Sequence, residues 1–252
     1  MHLSHGFIAK VARDIGLSPP DGYDTQSSFV ANNKCILISP LSDPAGVYFS
    51  IFNAIFNNTS TVLPNPEDPP TGKTLVQMLH HTRADWAALP SNTLSGVAKD
   101  SAVLDEIASH LELLVITGEP LAKKYGDVIA SEVRLIHMPH SSETGLLPTI
   151  YRHGYNFKAD WNYFQFHPAI GACLVPMSGD VYELIFDRTP ETELYLTDFT
   201  NSYAFRAKDL YNRHPTMPDI WAPVSGSNVI FSMTGKAKPI EFNKHAILFT
   251  TS

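Results

Sequence analysis

The apolar run Leu113-Leu114-Val115-Ile116-Thr117, joined by an amphipathic stretch to a second strand-like segment, Val133 to Met138, constrains the fold of this chain more than any other feature. A strand that is apolar at consecutive positions is buried on both faces, and sheets buried on both faces are parallel sheets covered by their crossover helices. Gly118 suits a tight turn after the first run and Pro120 suits the first turn of a helix, so 113–145 reads as one βαβ unit. It ends in His140-Ser141-Ser142-Glu143-Thr144-Gly145, which puts hydroxyls and a carboxylate beyond a strand's C-terminal end. Open α/β sheets take their ligands in the crevice outside those ends.

The residues before this unit alternate in the same way. A helix runs to about Leu17, a buried strand covers Cys35 to Ser39, a helix Val47 to Phe56, and a strand Thr61 to Leu63. After the Pro-rich loop 64–72 come a helix over Lys73 to Thr82, a strand over Asp85 to Pro90, and helices near Ser91–Val97 and Ser101–Leu111. Past Tyr155 the pattern changes to short β-type runs at Ala172–Val175, Tyr182–Asp187, Glu193–Leu196 and Val229–Met233. The expectation is an α/β fold: a mainly parallel sheet flanked by helices, then a smaller β-rich subdomain. The divisions expected are an α/β subdomain over 1–155, the β-rich subdomain over 156–242 and a divergent tail over 243–252.

A chain of 252 residues buries a sizeable core. Its formal charge of −7, with no local Lys/Arg cluster, argues against a nucleic-acid partner. Cys35 and Cys173 both lie in apolar runs and read as buried thiols of a reducing compartment. The first twenty residues lack a secretory apolar core, and the apolar stretch from Ile36 to Phe56 is broken by Pro40, Asp43, Pro44 and Gly46. A cytoplasmic protein with no membrane partner is expected. Pro70-Thr71-Gly72-Lys73-Thr74 has the end of a phosphate loop without its first glycine, so it is not read as a nucleotide site. His80 and His81 are adjacent and cannot share one helix face, which argues against a metal there. The Gly-x-Ser-x-Gly elbow of an α/β hydrolase does not occur.

Several stretches, taken in order, resemble the acyl-adenylate-forming enzymes, especially the adenylation domains of fungal reductases related to nonribosomal peptide synthetases. Leu114 to Leu121 is similar to that family's strand ending in Gly-Gly-Ala-Pro-Leu. Pro139 to Gly145 is similar to Tyr-Gly-Ser-Thr-Glu-x-Gly, with Pro139 and His140 in place of Tyr-Gly. Ala207-Lys208-Asp209-Leu210, followed by His214-Pro215 and Trp221, resembles the Thr-x-Asp-Leu-Phe-x-x-His-Pro segment of the fungal branch. Asp160-Trp161 through Phe166-His167-Pro168, then Tyr182 to Ile185, resembles its β-rich linker region. Pro40 to Gly46 aligns with Pro-x-x-His-x-x-Gly, with Asp43 where a His often stands.

The resemblance implies a partial N-terminal lobe of an adenylation domain, using ATP to activate a carboxylic acid as an acyl-adenylate. Glu143 would hold Mg²⁺ and Ser142 would bond an α-phosphate oxygen, the two being the catalytic candidates. Gly118, Glu119 and Pro120 would border the adenine of ATP or AMP on one side and Met138 and Pro139 on the other, and Asp209 would take the ribose hydroxyls. Ile136, Met138, Gly145 and Leu146 would line the acid pocket, whose apolar character suits an aryl or other hydrophobic acid. Glu119, Glu143 and Asp209 are thus expected around one cleft. His214, Trp161, Tyr163, Phe164, Phe166 and Trp221 are read as packing residues.

The chain also departs from the pattern. The family's Gly/Ser/Thr-rich phosphate loop would precede residue 1, Val224-Ser225-Gly226-Ser227-Asn228-Val229 stands in the place of Gly-Arg-x-Asp-Asp, and the chain ends soon after Gly235–Pro239, ahead of the lobe bearing the catalytic Lys. The expectation is a fragment or degenerate form, inactive alone, whose longer parent carries a carrier-protein or reductase domain. The alternative is a non-catalytic binding or assembly module with an adenylation-like fold.

Overall fold

The computed structural model describes residues 5–141, 144–187, 204–224, 240–242 and 245–247. Five parallel strands form the central sheet in the order Ser60–Val62, Lys34–Leu37, Trp86–Pro90, Leu113–Thr117, Arg134–His137. The chain enters at the second position, steps out to one edge, then returns to build the other three strands in sequence. The direction of strand addition therefore reverses between Lys34–Leu37 and Trp86–Pro90, the kind of switch point at which such sheets bind ligands.

Successive residues of each central strand face two separate cores. Cys35, Leu37, Trp86, Ala88, Leu113, Val115 and Ile136 point to one, and Ile36, Ala87, Leu89, Leu114, Ile116 and Leu135 to the other. That double burial is why the runs are apolar without alternation. Helices Gly72–His81, Ser91–Val97, Ser101–His110 and Lys123–Glu132 cover the second core with Leu75, Leu94, Leu104 and Ile129 among their contacts. Thr71 and Asp100 cap two of them, their side chains accepting from the backbone N–H groups of Thr74 and Val103.

The other core is closed by the helix His5–Ile15 and by residues 44–56. The sequence pattern predicts one helix over Val47–Phe56. The structure starts it at Pro44–Val47, widens it into a π-helix over Tyr48–Phe52, and resumes α geometry over Asn53–Phe56. Tyr48, Phe49 and Phe52 all reach the core from the widened turn. A Cβ on Gly46 would stand 2.1 Å from the Pro40 carbonyl oxygen, so glycine is what lets this helix lie against the preceding turn.

Thr149–Arg152 pairs antiparallel with Tyr23–Thr25 on one side and with Gln165–Phe166 on the other. A four-stranded antiparallel sheet follows: Ala172–Ser178, Val181–Asp187, Ala204–Arg213 and Trp221–Pro223. Its Leu184, Phe186, Tyr211 and Trp221 share the first core with the parallel sheet. Trp161 inserts into the second core while Phe164 and Phe166 enter the first, so 156–170 joins both layers. Cys173 corrects the expectation of two buried thiols: Cys35 is buried and Cys173 exposed. Its sheet buries one face only, and Cys173 falls on the other. The strands expected at Glu193–Leu196 and Val229–Met233, and the motif residues Gly235–Pro239, lie outside the described residues, as do residues 1–4. No helix of the described residues is long and apolar enough to cross a membrane.

Candidate functional site

The loop after Leu113–Thr117 begins at Gly118, whose φ of +71° is a left-handed conformation that favours glycine; no atom stands within 4 Å of a Cβ built there. Backbone conformation, not crowding, therefore calls for glycine at this turn. Glu119 is exposed, Pro120 is half-buried and Leu121 anchors the loop in the second core. Below the loop, the Thr117 and Ser39 hydroxyls lie 3.1 Å apart and join the C-terminal ends of two strands that flank Trp86–Pro90.

The strand Arg134–His137 runs into Met138 and Pro139, both buried. The Pro139 carbonyl accepts from the Leu147 N–H at 2.9 Å, and His140–Ser141 pairs with Gly145–Leu146. The Ser141 hydroxyl accepts from the Thr144 N–H at 3.0 Å and lies 2.9 Å from the Thr144 hydroxyl. Ser142 and Glu143, between these strands in sequence, lie outside the described residues.

Of the expected acid-pocket residues, Ile136, Met138 and Leu146 sit in the first core. Gly145 has a φ of +67°, and a Cβ there would come within 2.9 Å of the Phe7 ring. Beside Gly145 and Leu146 a space of about 10 Å³ is bounded by Phe7, Tyr48, Phe52 and His140. Aromatic rings thus fill most of the volume in front of those two residues.

Asp209 occupies a bulge in Ala204–Arg213. Ile185 pairs with Arg206 and Glu183 with Leu210, so Leu184 alone faces Ala207, Lys208 and Asp209. Lys208 takes a left-handed φ of +64° to make this possible. Bulges of this kind re-aim side chains out of the regular alternation, and Asp209 is left half-buried. Two residues on, Tyr211 is paired with Pro223, and Pro223 lines a cavity with Pro120 and His137. The Asp209 strand and the Gly118–Pro120 loop are therefore linked through Pro223. Burial, and secondarily the Asp209 carboxylate, raises the Tyr211 phenol well above its usual range.

His137 is a residue that motif reading passes over. It is a polar side chain at the end of an apolar strand, which is the signal that could have singled it out. Burial, with a smaller push from His140, lowers its imidazole to about 4, and the nearby Gly118 backbone opposes this without forming a hydrogen bond within normal geometry. His140 is also lowered by burial; the Met138 carbonyl, 2.9 Å from its Nδ1, and Asp43 oppose the shift. Among the described residues no group of three or more His, Cys, Asp or Glu side chains is placed to hold a metal ion. The Gly72 of the phosphate-loop-like stretch serves packing: a Cβ there would meet the Val97 side chain at 2.6 Å.

No protein-family model matches the chain. A carboxylic acid reductase of Neurospora crassa is 24% identical over 80% of this chain and 20% of its own length. An isocyanide synthase–NRPS hybrid of Aspergillus fumigatus is 28% identical over 73% of this chain and 12% of its own length. The chain thus spans a fifth or less of the curated relatives it matches. Among solved structures, a malonyl-CoA ligase with methylmalonyl-CoA and AMP bound superposes with a TM-score of 0.61 at 16% identity, over 88% of this chain and 48% of the ligase. The homologues are fungal adenylate-forming reductases and NRPS-like proteins, and the parallel sheet with its antiparallel companions is the fold of the AMP-binding ligases.

Proposed function

We propose that this chain is an adenylation-type domain that binds ATP or AMP between the Gly118–Pro120 loop and Met138–Pro139. The observation that carries the reading is the bulge at Ala207–Asp209, which lifts a carboxylate out of a regular strand whose partner, Pro223, borders the same cavity as Pro120. In this reading Glu119 and Pro120 flank the base and Asp209 accepts from the ribose hydroxyls. Ser142 donates to an α-phosphate oxygen and Glu143 binds Mg²⁺, both roles resting on the family resemblance. Mg²⁺ would supply charge neutralisation at the phosphate oxygens; Glu143 offers the oxygen ligand that such a hard cation prefers.

The reaction to be served is attack of a carboxylate oxygen on the α-phosphorus, with the α–β phosphoanhydride bond breaking and pyrophosphate leaving. What protein residues contribute is alignment of the attacking oxygen and donors for the developing charge. Ile136, Met138, Gly145 and Leu146 are the residues that the resemblance assigns to the acid, although the Phe7, Tyr48 and Phe52 rings fill the space beside Gly145 and Leu146. A carrier or reductase domain of a longer parent would receive the acyl group, in a cytoplasmic setting. The 1–155 segment would supply the adenine and acid sides of the cleft, 156–242 the ribose side, and 243–252 neither.

The segment Val224–Val229 contains neither Arg nor Asp, although the resemblance would place both there. Losing one preorganised donor costs about a hundred- to a thousandfold in rate, so this polypeptide alone should give no measurable acyl-adenylate. Calorimetric titration with AMP and carboxylate-dependent ATP–pyrophosphate exchange test the two halves separately. Saturable AMP binding without exchange is the expected result. Absence of AMP binding refutes the nucleotide site, and robust exchange with any aryl or aliphatic acid refutes the inactivity. The second reading, a non-catalytic assembly module, is favoured by the exposed Leu41, Ile51, Ile55 and Leu63, and predicts a defined complex with a partner and no AMP binding.

A further inference from the structure

His137 is 5% exposed, and neither of its ring nitrogens has a hydrogen-bond partner. The Oδ1 atom of Asn162, on the 156–170 segment, is likewise buried and unpartnered. Both residues line one cavity of about 20 Å³, together with Ile116, Pro120, Trp161 and Pro223. Lys123 is the one charged side chain on its wall. Buried polar atoms are rarely left without partners, because they forfeit their bonds to water and gain nothing in exchange.

A cavity holds a water once it offers roughly 10–15 Å³, provided two or more polar atoms converge there. Here the volume suffices and the polar atoms come from two different chain segments. A neutral imidazole presents one N–H and one lone pair, and Asn162 Oδ1 presents lone pairs only. One water can donate to Asn162 and either donate to or accept from His137. What favours a water over a direct His137–Asn162 bond is the space lined by both side chains, since either arrangement engages one ring nitrogen and leaves the other near the Gly118 backbone.

The geometry points to a single buried water that bridges His137 to Asn162. It fastens the strand end leading into Met138 and Pro139 to the segment that carries Trp161, and the cavity wall at Pro223 extends the connection to the strand pair bearing Asp209. His137 is in this role a positioning residue. The inference is independent of nucleotide binding, since a protein with no affinity for AMP would still hold the water.

A crystal structure of the whole chain, at a resolution that shows ordered solvent, should display one peak within hydrogen-bonding distance of Asn162 Oδ1 and a His137 ring nitrogen. Both side chains well ordered with no peak between them would overturn the inference, as would a direct bond between them. A double-mutant cycle gives a second reading. Asn162→Ala and His137→Leu together should raise the unfolding equilibrium constant by roughly tenfold less than the product of their separate effects. His137→Gln, which keeps a donor and an acceptor, should preserve that coupling. Effects that multiply to within about twofold count against the bridge. Should the variants fail to fold, the solvent density of the wild-type protein decides.

Discussion

Acid should weaken this fold through His137. In the folded chain its imidazole is held at about 4 against an ordinary 6.5, chiefly by burial among Ile116, Trp161 and the Gly118–Pro120 loop. Between those two values the unfolded chain binds the proton and the folded chain does not. Stability from this group therefore rises with pH: it is fully present above 6.5 and lost as pH falls toward 4. The change from pH 7 to pH 4.5 therefore costs about 2 kcal/mol, a large share of an ordinary domain's stability. His137→Gln carries no titrating group and should escape this loss while retaining the other acid-sensitive contributions, that of His140 included. Urea unfolding of both proteins at pH 7 and 4.5 makes the comparison. The wild type should lose about 2 kcal/mol more than the variant over that interval. Parallel pH dependence of the two proteins would refute the reasoning, as would a C2 proton of His137 titrating near 6.5 by NMR.

Gly126→Ala should destabilise by about 3 kcal/mol or more, because its Cβ would lie 1.9 Å from the Trp161 ring and Trp161 is 2% exposed; the shift in thermal midpoint reads this out. Gly46→Ala forces the helix start off the Pro40 carbonyl at a cost of similar size, and a melting temperature equal to the wild type's would show that the turn yields freely. Asp209→Ala should leave the fold intact while weakening AMP binding by roughly tenfold or more, measured by calorimetry, since it removes hydrogen bonds to a charged acceptor. An unchanged affinity would remove Asp209 from the ribose site.

The parallel sheet was legible because four of its five strands bury residues on both faces, and continuous apolar runs such as Leu113–Thr117 record that directly. The helices between them were legible for a related reason: one face of each, such as Leu75 and Leu79, meets a core while the other meets solvent. The strand Ala204–Arg213 was not legible as a strand. Its bulge breaks the two-residue alternation at Ala207–Asp209, where motif reading placed a functional carboxylate instead. The pairing of Tyr23–Thr25 with Thr149–Arg152 left no trace either, since short edge-to-edge pairings between distant segments impose little pattern on either partner.

Local sequence thus determined which residues are apolar on which face, where turns need glycine or proline, and which loops follow the strands' C-terminal ends. The tertiary structure decided what those loops face. That His137 and Asn162 meet at one cavity, that Phe7 stands against Gly145, and that Trp161 needs the missing Cβ of Gly126 are consequences of close packing between segments far apart in the chain. Periodicity reports the environment of one segment at a time. Distances between segments are set by how side chains of particular shape fill a shared interior.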